Sequence, residues 1–206
     1  MNLQLKIILL LALLINGQSL TAQVSYSKFE VNEQMTDTFS FAKKWDYSWN
    51  ILKDEATGRL ESADDHALTA EDTAHLFYTA NCSTNVQGGY NIRYGFAEKK
   101  QDLVTLCFSD GLPAYASRFY LFIQGDSFYF KPEIILPQRK IEQEQIIEIN
   151  EQKLILNKKN YRNGDIIMGY ADIEFTEITV SVNSRKQQKK FYMRGYFRTR
   201  VKQGSS

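Results

Sequence analysis

Histidine is nearly missing from this sequence, and with it most of the acid–base and metal chemistry that active sites draw on. Only His66 and His75 occur. They do not form a His-Glu-x-x-His pattern, so the common helical zinc-protease site is excluded. The phosphate-cradling Gly-x-x-x-x-Gly-Lys loop, the dinucleotide-binding Gly-x-Gly-x-x-Gly loop and the Gly-x-Ser-x-Gly elbow are absent as well. "GDSF" at Gly125–Phe128 resembles the Gly-Asp-Ser opening of one esterase family, but no histidine follows His75. Ser127 then lacks the base a serine nucleophile needs, and reads as a turn residue.

Cysteine is equally scarce: Cys82 and Cys107 only. A zinc site drawn from these two and the two histidines would lack the short Cys-x-x-Cys spacing of structural zinc sites. No metal and no cofactor is expected. A chain of 206 residues can bury a core without disulfides.

Charge of one sign is missing too. The chain carries 25 Lys+Arg against 24 Asp+Glu. Near-zero net charge argues against a general polyanion binder, so no nucleic acid partner is expected. The balance is uneven along the chain, however. Eleven acids and four bases lie between Glu30 and Asp72, whereas eight bases and no acid lie between Arg185 and Lys202.

The one long apolar stretch is at the start, "MNLQLKIILLLALLINGQSLTAQ". A lysine, an apolar core and small residues at Thr21 and Ala22 make the three-part layout of a secretory signal peptide. The apolar core is shorter than the roughly 20 residues of a membrane-spanning helix. The reading is a signal peptide over 1–22, bacterial in style, and a single secreted β-rich domain over 23–206. No transmembrane segment remains after cleavage, and the mature protein is expected to be periplasmic or released. No cysteine follows the cleavage point to carry a lipid.

What the chain does have is aromatic and β-branched alternation. "RFYLFIQGDSFYF" reads as a hairpin around Gly125-Asp126, pairing Ile123 with Phe128 and Leu121 with Phe130. "YNIRYGFA", "DLVTLCFS", "KLILNK" and "FYMRGYFRTRVK" read as further strands, with Asn163-Gly164 as a turn. "FSFAKKWDYSWNI" alternates with period two and reads as a strand. "LTAEDTA" reads as a short capped helical turn. "QRKIEQEQIIEINEQ" reads as a short helix or a polar excursion, and "NSRKQQKK" as a basic loop. A phase change in "DIIMGYADIEFTEITV" predicts a bulge near Gly169. Short turns between about nine or ten strands predict an all-β fold: an antiparallel β-sandwich, with a closed up-and-down barrel as the alternative.

Two surfaces are candidates for ligand binding. Trp45, Tyr47 and Trp49 form an aromatic stripe at strand spacing, either a platform for sugar rings or part of the core. On the last strand, inward Phe191, Met193, Phe197 and Val201 would leave Tyr192, Arg194, Tyr196 and Arg198 on the other face. Interleaved basic and aromatic residues can bind an anionic polymer, or pair with the acidic N-terminal part. The expected role is a secreted, non-enzymatic domain binding a glycan, a lipid or an envelope partner protein. The alternatives are a carboxylate-dependent polysaccharide hydrolase, which needs two acids about 5–10 Å apart, and a structural component of an envelope assembly.

The cysteines test topology. In a plain meander, Cys82 and Cys107 would both face Ile92 from opposite sides, about 9.5 Å apart. A disulfide needs Cα atoms within roughly 7 Å. The oxidising compartment nonetheless predicts a Cys82–Cys107 bond, with the meander broken to allow it.

Overall fold

The computed structural model describes residues 26–36, 39–44, 51–53, 56–57, 59–63, 67–69, 77–110, 117–134, 144–181 and 185–204. In chain order these form β1 (Ser27–Lys28), β2 (Glu30–Val31), β3 (Ile51–Lys53), β4 (Leu60–Ser62), β5 (Ala80–Thr84), β6 (Tyr90–Ile92), β7 (Tyr94–Lys100), β8 (Leu103–Ser109), β9 (Arg118–Gln124), β10 (Ser127–Glu133), β11 (Glu144–Leu156), β12 (Ile166–Val180) and β13 (Lys186–Gln203). The described protein is all β.

Alternation builds the wall. On β9 and β10, Phe119, Leu121, Ile123, Phe128 and Phe130 are buried while their neighbours face outward. The chain reverses at Gly125, whose φ of 62° suits glycine. Ile123 pairs with Phe128 and Leu121 with Phe130, the register the sequence implied. β8 joins β9 to β7 by the same logic. β12 then pairs with β13 along its whole length and with β11 on its other side.

The large sheet has the order β1-β10-β9-β8-β7-β13-β12-β11-β2. Its two terminal strands are consecutive pieces of one segment. Ser27 and Lys28 pair with Phe128 and Ser127 on one edge, and Glu30 and Val31 run parallel to Ile155 and Leu156 on the other. Phe29 between them packs on the core. The sheet is thereby nearly closed into a barrel. β7–β13 is also parallel, so the sheet is mixed. β5 continues the same edge of β13 above β7, β6 hangs from β5, and β3–β4 forms a separate ribbon.

Side chains fill the barrel. Phe108, Phe119, Phe128, Phe175 and Phe197 are fully buried and in ring contact in part, with Phe108–Phe197 at 5.2 Å and Phe119–Phe130 at 6.1 Å. A barrel of about eight strands leaves an interior just wide enough for this. Burying each such ring stabilises the fold by roughly 1.5–3 kcal/mol.

Several expectations change. Of the two architectures weighed, the barrel describes the sheet more nearly, because one segment clasps both edges instead of leaving two facing sheets. The strands outnumber the expected nine or ten because two- and three-residue pieces do not stand out in sequence. Lys186 to Lys190 and the segment from Glu144 are strand, since pairing with β12 fixes them despite their polarity. Ser40–Lys43 is a 3₁₀ turn, not strand, and its flanking Phe39 packs against Tyr196 at 5.6 Å. No bulge occurs at Gly169: Ile167, Gly169, Ala171 and Ile173 hold one buried face, and a Cβ at 169 would meet Phe197 and the Ile155 carbonyl. The irregularity is on β11, between Ile149 and Glu151. "LTAEDTA" lies largely outside the described residues.

The Cys82–Cys107 bond is not formed; both are free thiols. Cys82 does pair with Ile92. But Lys99 and Lys100 belong to β7, so the turn falls at Gln101–Asp102 and Cys107 faces Phe96 instead of Ile92. Cys82 points into the core, whereas Cys107 alternates with the core residues Leu106 and Phe108 and lies on the outer face. Thiols on opposite faces of one wall cannot bond.

Candidate functional site

The outer face of β13 is arranged as its alternation implied. Met193, Phe197 and Val201 are buried, and Tyr192, Arg194, Tyr196 and Arg198 alternate with them. Arg194 is already engaged. Its guanidinium lies 3.3 Å from Asp172 and 3.0 Å from Glu174, and 4.7 Å from the Tyr192 ring centroid. Among the described residues its counter-charge comes from the neighbouring strand β12. Tyr196 is 47% exposed and touches Tyr170, with ring centroids at 4.8 Å. Trp45, Tyr47 and Trp49 lie outside the described residues, as do His66 and His75.

A second aromatic surface was not anticipated. On the outer face of β9 and β10, Phe122 stacks on Tyr129 at 4.5 Å and 15°, and on Tyr120 at 5.9 Å and 21°. Tyr26 closes the row against Tyr129 at 5.1 Å. The sequence signal was the outward set of the same hairpin whose inward set was read.

Among the described residues, the most built polar concavity lies where the β5–β6 connection meets the ends of β8 and β9. It measures about 260 Å³ and is lined by Gln87, Gly89, Tyr90, Asn91, Arg93 and Asp110, among others. Its rim is held in an uncommon backbone conformation: Gln87, Gly88 and Gly89 have φ of 55°, 90° and 100° in succession. The two glycines adopt it freely, whereas Gln87 carries a side chain in a conformation that persists only where the surroundings enforce it. Asp110 is 8% exposed, and Ser117, at the start of β9, is fully buried. Burial pushes the Tyr90 phenol up to about 12; the Ser117 hydroxyl works against that rise and the Asp110 charge adds to it. A carboxylate, an amide, a guanidinium and a phenol thus converge on one small pocket. Tyr90 and Asp110 come from opposite ends of the β6–β8 stretch; the only local signal was the Gly88-Gly89 pair.

A shallower cleft of about 440 Å³ lies by the β7–β8 turn, lined by Lys99, Lys100, Arg162, Asn163 and Gln203 among others. Asp165 beside it is occupied by Lys158 at 2.7 Å and by the Arg162 amide at 2.7 Å, which hold its carboxyl below the usual range. Neither described concavity is lined by two carboxylates. Among the described residues, no group of three His, Cys, Asp or Glu side chains could hold a metal ion, and no helix is long and apolar enough to cross a membrane. Comparison with protein-family models, with curated proteins and with solved structures finds no match.

Proposed function

We propose that this chain is a secreted or periplasmic, non-enzymatic binding domain whose ligand is a glycan held in the pocket of Asp110, Tyr90, Asn91 and Arg93. The convergence of those four side chains on a pocket of about 260 Å³ carries the reading. A sugar offers vicinal hydroxyls and a weakly apolar ring face. A carboxylate accepts from two adjacent hydroxyls in charge-assisted bonds. Amide and guanidinium groups donate to the ring and hydroxyl oxygens, and the Tyr90 ring, its hydroxyl buried, supplies an apolar surface. Few, well-placed polar groups around a concavity are what small-ligand sites use. Export through residues 1–22 would place the domain among envelope or extracellular polysaccharides.

The test is a glycan array followed by calorimetry on the retained sugar. Asp110→Asn and Arg93→Ala should each weaken binding about tenfold or more. Tyr192→Ala, Tyr196→Ala and Arg198→Ala should leave it unchanged. An array without any retained glycan overturns the reading; loss of binding in the β13 variants alone moves the site to that strand.

A further inference from the structure

The three longest strands run past the barrel. From the row Glu144–Val180–Lys186 downward, β11, β12 and β13 pair side by side, interrupted only by the irregularity between Ile149 and Glu151. β13 gains a second neighbouring strand only at Met193, opposite the end of β5, and again at Val201, opposite Ala97 of β7. β11 gains one only at Ile155. The projecting ribbon therefore has two strand edges with no further strand paired to them among the described residues.

These edges carry opposite charge. Lys186, Lys189 and Lys190 on β13 are exposed, as are Glu148 and Glu151 on β11. In the register Glu148–Thr176–Lys190, the two signs are two strand spacings apart, about 9.6 Å, with Thr176 between them, and Lys189 lies across from Glu177 of β12 with no ion pair between them. None of these five side chains forms an ion pair among the described residues.

We propose that the β11 edge of one molecule pairs with the β13 edge of a second copy, continuing the sheet from molecule to molecule. Like edges repel: β13 against β13 opposes lysines, and β11 against β11 opposes glutamates. Only the mixed pairing joins opposite signs along edges that no strand covers, the β13 edge being free up to the Lys190 carbonyl, which the Asn85 side chain caps together with the Tyr192 N–H. Ile146, 37% exposed on β11, adds an apolar contact beside Glu148. The contact is head-to-tail, so it propagates unless the rotation closes a ring.

Sedimentation velocity of the full chain at low and high salt tests this. Concentration-dependent association, weakened by salt, is expected. K186E/K190E makes both edges acidic and E148K/E151K makes both basic; each alone should stay monomeric, and their equimolar mixture should associate. A wild-type chain monomeric at low salt overturns the proposal, leaving the lysines as guards against edge pairing. So does a mixture that stays monomeric while both variants keep the wild-type circular dichroism.

Discussion

Gly195 on β13 lies directly across the ladder from Cys82 on β5, with no room between them for a β-carbon. One built at 195 would overlap the Cys82 Cα and the Asn81 carbonyl. Its φ of 149° is also one that side chains rarely adopt. Gly195→Ala should therefore push β5 off its neighbour and cost about 3 kcal/mol or more. Gly164, with a φ of 90° and nothing within 4 Å of its missing Cβ, separates strain from crowding. Gly164→Ala should cost only about 1–2 kcal/mol. Urea unfolding of both variants makes the comparison; equal losses would contradict the close approach.

The free thiols differ in access. Cys82 is 2% exposed and its thiol donates to the Tyr196 carbonyl at 3.5 Å, while Cys107 is half-buried on the outer face. In the native protein, iodoacetamide should label Cys107 at least ~10-fold faster than Cys82, and both equally after unfolding. The non-reduced mass should be that of two thiols. A cross-linked Cys82–Cys107 peptide would contradict the β7–β8 register.

Alkaline pH should destabilise the fold in a defined window. Burial raises the Cys82 thiol from 9.0 to about 12 and the Tyr90 phenol from 10.0 to about 12. Both groups stay neutral in the folded chain while the unfolded chain loses their protons. Their contribution is thus complete below the unfolded values and is lost as pH rises from about 9 toward about 12. The urea midpoint should fall through that range, and Cys82→Ala should make the fall between about 9 and 10 shallower, leaving there the part that the raised Cys107 thiol contributes. A midpoint flat across the window would count against both burials.

Asn85 takes over where β5 ends. Its amide accepts from the Tyr192 N–H at 2.9 Å and donates to the Lys190 carbonyl at 3.1 Å, extending the ladder by one side chain. Asn85→Ala should cost about 1–2 kcal/mol. Hydrogen exchange at Tyr192 should rise, and unchanged protection there would show that the amide is dispensable.

The parts legible in the sequence were those set by local rules. Gly125-Asp126 fixes a hairpin from its own neighbourhood, so both inner pairs could be written down in advance. The inward set Met193, Phe197 and Val201 followed from period two. Placements imposed by distant partners were not legible. Lys186 to Lys190 reads as loop because nothing in "KQQKK" reveals the strand that β12 makes of it. Reading the turn two residues early, at Lys99 and Lys100, moved the partner of Cys107 from Phe96 to Ile92. The Asp110 pocket joins two connections whose meeting depends on β6 passing to β7 through the single residue Arg93.

The segment from Ser27 to Val31 has a mechanical consequence. Two ladder residues on each side fasten the seam, helped by the ion pairs Lys28–Asp126 and Lys153–Glu30 at 3.4 Å each, by the Phe29 and Asn32 amides, which donate to the Asp126 and Leu156 carbonyls, by the Gln152–Ser27 side-chain bond and by the Tyr26–Tyr129 ring contact. Every other joint in the wall is longer, β7–β13 with its three ladder pairs being the next shortest. Tension on the N-terminal side would peel this zipper first, unrolling the barrel into an open sheet and baring its phenylalanines while the hairpins stay folded. The seam is thus the fold's preferred line of tearing, set by where the chain enters the sheet and not by any weak spot in the core.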